Sequence, residues 1–166
     1  SDSPRVSDGF VLIAPYIQAR NYDKQGEVLL LDTEGDVVHE WKTKYTTLAT
    51  YLQKNGHLYA AMTPPINPFS YPSPGTTGLI QELDWEGNVL WEYADPQMTH
   101  DFEIMPDGGV AYFRWTRAPQ WFANNVVGGM NSPYPGIWTN EIVVVNRDGN
   151  EVWSWKPEDH LNPRDY

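Results

Sequence analysis

The chain contains no cysteine, few basic residues and no apolar run long enough to cross a membrane. Without cysteine, neither a disulfide framework nor a thiolate metal site can form. A spanning helix needs about 20 consecutive apolar residues, so no membrane span is expected. Lys and Arg number 11 against 22 Asp and Glu, for a formal net charge of -11. Nucleic acid and anionic lipid both need clustered cations, and neither is expected as a partner. No Asn-x-Ser/Thr acceptor occurs, since Asn131-Ser132 is followed by Pro133. The chain starts at Ser1 rather than Met, as a protein does once a signal is removed and as a piece cut from a longer sequence also does. A secreted or periplasmic location is the expectation.

What the sequence does hold in quantity is aromatic rings and turn residues, with 8 Trp, 10 Tyr, 14 Pro and 13 Gly in 166 residues. This is the composition of many short strands joined by turns. Three segments, Val28–Trp41, Leu79–Tyr93 and Ile142–Trp155, read alike. Each is an apolar run, a turn ending in Gly35, Gly87 or Gly149, and a second run closing on aromatic residues. Glycine there supplies the positive φ that a tight hairpin requires. A second hairpin repeats between them, with Tyr51–Ala60 turning at Asn55-Gly56 and Phe102–Ala111 turning at Asp107-Gly108. From Gly35 to Gly87 is 52 residues, and from Gly56 to Gly108 is also 52. The step from Gly87 to Gly149 is 62, because a longer loop intervenes.

Two landmarks sharing one period near fifty, with four strands per period, predict an all-β propeller of four-stranded antiparallel blades. A β-sandwich also has short strands and regular turns, but the shared period argues against it. One blade spans 48–93, with strands near 48–53, 57–62, 78–84 and 88–93. The next spans 100–155, with strands near 100–105, 109–115, 140–146 and 150–155. Residues 10–42 supply an incomplete blade lacking its innermost strand, and 156–166 lead toward another. About two and three-quarter blades in one partial domain fall short of the roughly four to eight that close a ring. The remaining blades are expected from another chain, a missing segment or a second copy.

Position singles out a few side chains. His100 starts an innermost strand, which directs it to the central channel. There it acts either as a functional imidazole or as a channel residue bonded to nearby backbone. Asp101, by strand alternation, faces the opposite way. Arg114 and Arg117 end the neighbouring strand at the same end of the blade. They read as ligands for a tetrahedral anion or as surface charges. Two long loops emerge there, Thr63–Thr77, rich in proline, and Thr116–Thr139, which carries Trp121, Tyr134 and Trp138. Such rings stack on a flat phenolic ligand or pack on neighbouring blades. His39, His57 and His160 read as structural, as do Trp41, Trp91, Tyr93, Trp153 and Trp155 between blades. Asp32, Asp84 and Asn146 recur before the turns and cap them. No metal-ligand cluster is visible, and a channel calcium would have no signature in the sequence.

Val37–Trp41, Gln53–Leu58, Trp91–Tyr93 and, above all, Thr99–Gly109 resemble the arylsulfotransferase family, over about residues 10–160. The resemblance is to the N-terminal portion of such a protein. It implies a six-bladed propeller that moves a sulfuryl group from an aryl sulfate to a phenol without a nucleotide sulfate donor. In that family a channel histidine is transiently sulfated, while further histidines and an arginine hold the sulfate. On this resemblance His100 is the catalytic residue. Arg114, Arg117, Trp121, Tyr134 and Trp138 are substrate-binding candidates, and no cofactor is needed. The position matching His100 in the preceding blade is Leu48, and residues from later blades are absent from the sequence. The alternative is a non-catalytic extracellular propeller acting as a scaffold or binding module, since fold alone does not fix function.

Overall fold

The computed structural model describes residues 8–15, 25–65, 75–127 and 136–165. These residues are all-β and form three antiparallel sheets. The first sheet holds β1 (Val11–Ile13), β2 (Gly26–Leu31) and β3 (Val37–Thr43). The second holds β4 (Thr47–Leu52), β5 (Leu58–Met62), β6 (Leu79–Leu83) and β7 (Val89–Ala94). The third holds β8 (Met98–Ile104), β9 (Val110–Arg117), β10 (Trp138–Val145) and β11 (Glu151–Trp155). In every sheet, strands adjacent in sequence are adjacent in space. The first two sheets lie in one compact unit, Ser1–Pro96, and the third in another, Gln97–Tyr166. Among the described residues no helix is long and apolar enough to cross a membrane.

The repeated turns show why the sequence folds this way. In the hairpins β2–β3, β6–β7 and β10–β11, Gly35, Gly87 and Gly149 have φ of 90°, 85° and 80°. Their N–H groups donate to the carbonyls of Asp32, Asp84 and Asn146 at 3.2, 3.1 and 2.9 Å. The side chains of those three residues cap the turns, as expected. Asp32 Oδ1 accepts from the N–H of Asp36 at 2.9 Å, Asp84 Oδ1 from Asn88 at 2.7 Å and Asn146 Oδ1 from Asn150 at 2.9 Å. Just past each turn the register shifts, leaving Val38, Leu90 and Val152 as extra residues on the outer strand. Such bulges increase local twist.

In the N-terminal unit the first and second sheets pack face to face. Val28, Leu30 and Trp41 of the first meet Leu58, Ala60 and Leu83 of the second, flanked by Leu12, Ala14 and Leu52. Full burial of each large aliphatic side chain contributes about 1.5–3 kcal/mol, so this cluster is the main cohesion between the two sheets. Directional contacts set its registration. Trp41 Nε1 donates to the carbonyl of Asp84 at 3.0 Å. His39 stacks on Trp85 with ring centroids 3.9 Å apart, its Nε2 lying 2.8 Å from the Trp85 carbonyl.

In the C-terminal unit one face of the third sheet is buried. Val110, Val143 and Val145 are fully covered, and Met98, Phe102 and Tyr112 nearly so. Both ends of the Thr116–Thr139 segment belong to strands that run further than the sequence suggested. β9 runs on to Arg117, β10 begins at Trp138, and a helical turn α1 (Gln120–Ala123) follows Pro119. Proline fixes its own φ and suits a helix entry, while Phe122 buries the inner side of the turn.

Candidate functional site

β8 is an edge strand of the third sheet, and its pairing with β9 is interrupted at His100. Thr99 pairs with Phe113 and Phe102 pairs with the next residue, Tyr112, so His100 and Asp101 fall outside the strand register. Two extra residues form a bulge here and do not continue the pleat. His100 has a φ of 58° and is the one non-glycine residue with positive φ among those described. Histidine and aspartate tolerate such turns better than most residues. Asp101 locks the bend by accepting the Phe102 N–H on Oδ1 at 2.9 Å.

The bulge turns both side chains outward, while Thr99 and Phe102 on either side are buried. His100 Nδ1 lies 2.6 Å from the buried Thr99 hydroxyl. A hydroxyl can accept from Nδ1–H, and in that tautomer Nε2 keeps its lone pair. An exposed imidazole held by its inner nitrogen, with the outer nitrogen directed to solvent, suits a nucleophile or a general base.

The same place in the second sheet carries a smaller irregularity. Thr47 pairs with Met62 and Ala49 with Ala61, leaving Leu48 as a single extra residue. Leu48 is half-buried, and Thr47 shares a buried hydroxyl contact of 2.9 Å with Thr43. The backbone device recurs; the chemistry does not.

Arg114 and Arg117 occupy the end of β9 nearest the start of β8, as expected from the repeat. Arg114 turns to carboxylates. Its Nε and Nη2 donate to Glu141 Oε2 at 3.1 and 3.0 Å, and Nη2 donates to Glu151 at 3.1 Å. The side chain of Glu141 is 2% exposed and that of Arg114 20%. Burial alone would lower the arginine pKa, but the hydrogen bonds and charge of Glu141 hold it above its ordinary value. Lys156 Nζ is 3.8 Å from the other Glu141 oxygen.

Arg117 and Trp138 are direct cross-strand partners, and the guanidinium sits 5.2 Å from the indole centroid. Two sequence-predicted residues are therefore brought together by a cation–π contact. They do not join His100. The bulge faces β9 between Tyr112 and Phe113, four residues short of Arg117, on the order of 13 Å along the strand. Trp121 lies on α1, 54% exposed, its ring edge-on to Phe122 at 5.6 Å. Tyr134 and most of the Thr63–Thr77 loop lie outside the described residues. Among the described residues, no three His, Asp or Glu side chains gather as metal ligands.

Sequence reading missed two buried carboxylates. Glu141 is the cross-strand partner of Arg114, and pairing the predicted strands would have shown it. Glu82, 7% exposed in its side chain, has its Oε1 2.7 Å from Nδ1 of His57. The signal for it is an acidic residue in a strand, β6, whose five residues include three large aliphatic ones. His57, His39 and His160 hold structural contacts, the last stacked 5.0 Å from Trp155. No model of a known protein family matches the chain, and no curated protein matches it.

Proposed function

We propose that this chain is the N-terminal portion of a β-propeller sulfotransferase resembling the arylsulfotransferases, with His100 as the residue that receives the sulfuryl group. The supporting observation is the His100 bulge: a left-handed backbone at an edge strand presents an imidazole whose inner nitrogen is held by Thr99. Strained non-glycine conformations of this kind cost about 1–3 kcal/mol and cluster at functional sites. In the reaction, Nε2 attacks the sulfur of an aryl sulfate. The N–S bond forms, the ester S–O bond breaks, and the phenolate leaves with the electron pair. A second phenol then attacks the same sulfur, the N–S bond breaks with its electron pair returning to Nε2, and the acceptor's proton passes to solvent, from which the departed phenolate takes one. Asp101 does not take part; it holds the bend. The cation–π pair of Arg117 and Trp138, about 13 Å further along the strand, offers an aromatic contact separate from the reacting group.

In this reading the three sheets are consecutive propeller blades, the first without its innermost strand. The protein is secreted or periplasmic, and it needs no cofactor from the chain's own residues. The test is aryl sulfate turnover by the native particle, with every chain it contains. The expected result is loss of turnover in His100→Ala. Unchanged turnover would overturn the assignment.

A second reading, a binding propeller without chemistry, is favoured by one observation. Arg114 is engaged by two carboxylates, which weakens its case as the sulfate ligand. In that reading the ligand binds at Arg117 and Trp138. Arg117→Ala would then abolish phenol or aryl sulfate binding, measured by calorimetry, while His100→Ala would leave binding unchanged.

A further inference from the structure

In a regular strand, successive side chains point to opposite faces and do not touch. Thr99 and His100 depart from that rule, with Oγ1 of the first 2.6 Å from Nδ1 of the second. The φ of 58° at His100 makes the contact possible, because it takes the residue out of the pleat. Thr99 itself stays in register, paired with Phe113, and is fully buried, whereas His100 is exposed. Its branched Cβ restricts its rotamers, so the hydroxyl is a fixed point on which the ring hangs.

Two other histidines show what such a contact decides. Nε2 of His39 lies 2.8 Å from the Trp85 carbonyl, and a carbonyl only accepts, so that ring carries a proton on Nε2. Nδ1 of His57 lies 2.7 Å from Oε1 of Glu82, and a carboxylate only accepts, so that ring carries a proton on Nδ1. A hydroxyl, by contrast, can donate or accept. If Thr99 donates, Nε2 of His100 holds the proton and has no lone pair to offer. If it accepts, Nδ1 holds the proton and Nε2 is bare. Only the second arrangement serves an attacking ring. As Nε2 bonds to sulfur the ring becomes a cation with its proton on Nδ1, and an accepting oxygen there stabilises the developing charge.

We infer that Thr99 is a positioning residue, whose hydroxyl accepts from Nδ1–H of His100 and holds the imidazole in the tautomer with Nε2 bare. The tautomer stands on the contact itself; its use in sulfuryl transfer rests on the function proposed above. The left-handed backbone then does more than present the ring. It couples an exposed imidazole to a buried hydroxyl, and through it to the register of β8 on β9.

The experiment is imidazole nitrogen NMR of the isotopically labelled chain at about pH 8.5, where histidines are neutral, for wild type, Thr99→Ser and Thr99→Val. His100→Ala identifies the His100 signals, and His39, protonated on Nε2, is the internal reference. Wild type and Thr99→Ser are expected to show His100 with a protonated Nδ1 and a bare Nε2. Thr99→Val keeps the shape of the side chain without its hydroxyl. There the proton should move to Nε2, so that the nitrogen signals of the ring exchange places. A wild-type His100 protonated on Nε2, or a folded Thr99→Val that keeps the proton on Nδ1, would overturn the inference. The wild-type spectrum decides even if Thr99→Val does not fold.

Aryl sulfate turnover by the native particle separates this inference from the proposed function. Thr99→Val should lower kcat with little change in KM, and Thr99→Ser should restore most of it. If His100→Ala leaves turnover intact while the tautomer is as described, the sulfuryl assignment fails and the role of Thr99 in holding the ring stands. If His100→Ala abolishes turnover while the tautomer is reversed, the assignment stands and Thr99 has no such role.

Discussion

The second and third sheets are built to one strand order, with matching turns and an interrupted first strand, yet they hold that interruption differently. In the second sheet a single half-buried Leu48 is displaced and the surrounding hydroxyls bond among themselves. In the third, two polar residues are displaced, one in a left-handed conformation, and both face solvent. A repeat constrains where a bulge falls. Its length and occupants decide whether it merely bends the strand or presents a side chain.

The buried carboxylates sharpen this contrast and give the largest expected effect. Glu141 in the third sheet is buried against Arg114, so Arg114→Ala strands a carboxylate away from water. Losing one partner of a buried pair costs about 3–5 kcal/mol; Lys156 and solvent access to Arg114 place this case near 3 kcal/mol. Urea denaturation of the wild type and Arg114→Ala measures it. A loss below about 1 kcal/mol would mean that the pair is no more than a surface contact.

In the second sheet the equivalent experiment is His57→Ala, which removes a hydrogen bond from the buried Glu82. The expected loss is about 1–3 kcal/mol, again from urea denaturation. If His57→Ala proves costlier than Arg114→Ala, the ranking of the two sheets is reversed.

Glycine substitutions at the two bulges should have opposite signs. At His100 the φ of 58° is unfavourable for a side chain, so His100→Gly should stabilise by up to about 1 kcal/mol while removing the imidazole. At Leu48, where no positive φ occurs, Leu48→Gly loses packing and gains chain entropy on unfolding. It should destabilise by about 1–2 kcal/mol. Melting temperatures of the two variants decide it; equal signs would deny that the two bulges differ in strain.

The smallest effect concerns acid. The Asn88 side chain and nearby backbone N–H groups hold the Asp84 carboxyl below the usual aspartate range. A depressed carboxyl contributes stability that is complete above its unfolded pKa and is lost as pH falls through the folded one. Asn88→Ala should therefore lower the melting temperature slightly at neutral pH, with the difference from wild type shrinking as pH falls below about 4, so that the acid profile flattens. An unaltered acid profile would remove Asp84 from the account.

Much of the fold was legible because glycine turns and aromatic strand ends recur at fixed spacing. The 52-residue period located the hairpins around Gly56 and Gly108, and β5 and β9 start two residues beyond them. The bulge at His100 was not legible. Register shifts depend on which residues of β8 and β9 meet, which alternation within one strand does not reveal. Arg114 was placed on the correct strand end, but its partner Glu141 lies across the sheet, beyond the reach of local pattern. Arg117 and Trp138 were singled out separately, and only strand pairing joins them.

The most direct test of the His100 assignment is peptide mass spectrometry of the native particle after brief exposure to an aryl sulfate without acceptor. The account predicts one added SO3 on the peptide carrying His100, discharged when a phenol is supplied, and none in His100→Ala. An adduct on another residue, or none in a preparation that turns over aryl sulfate, would contradict it.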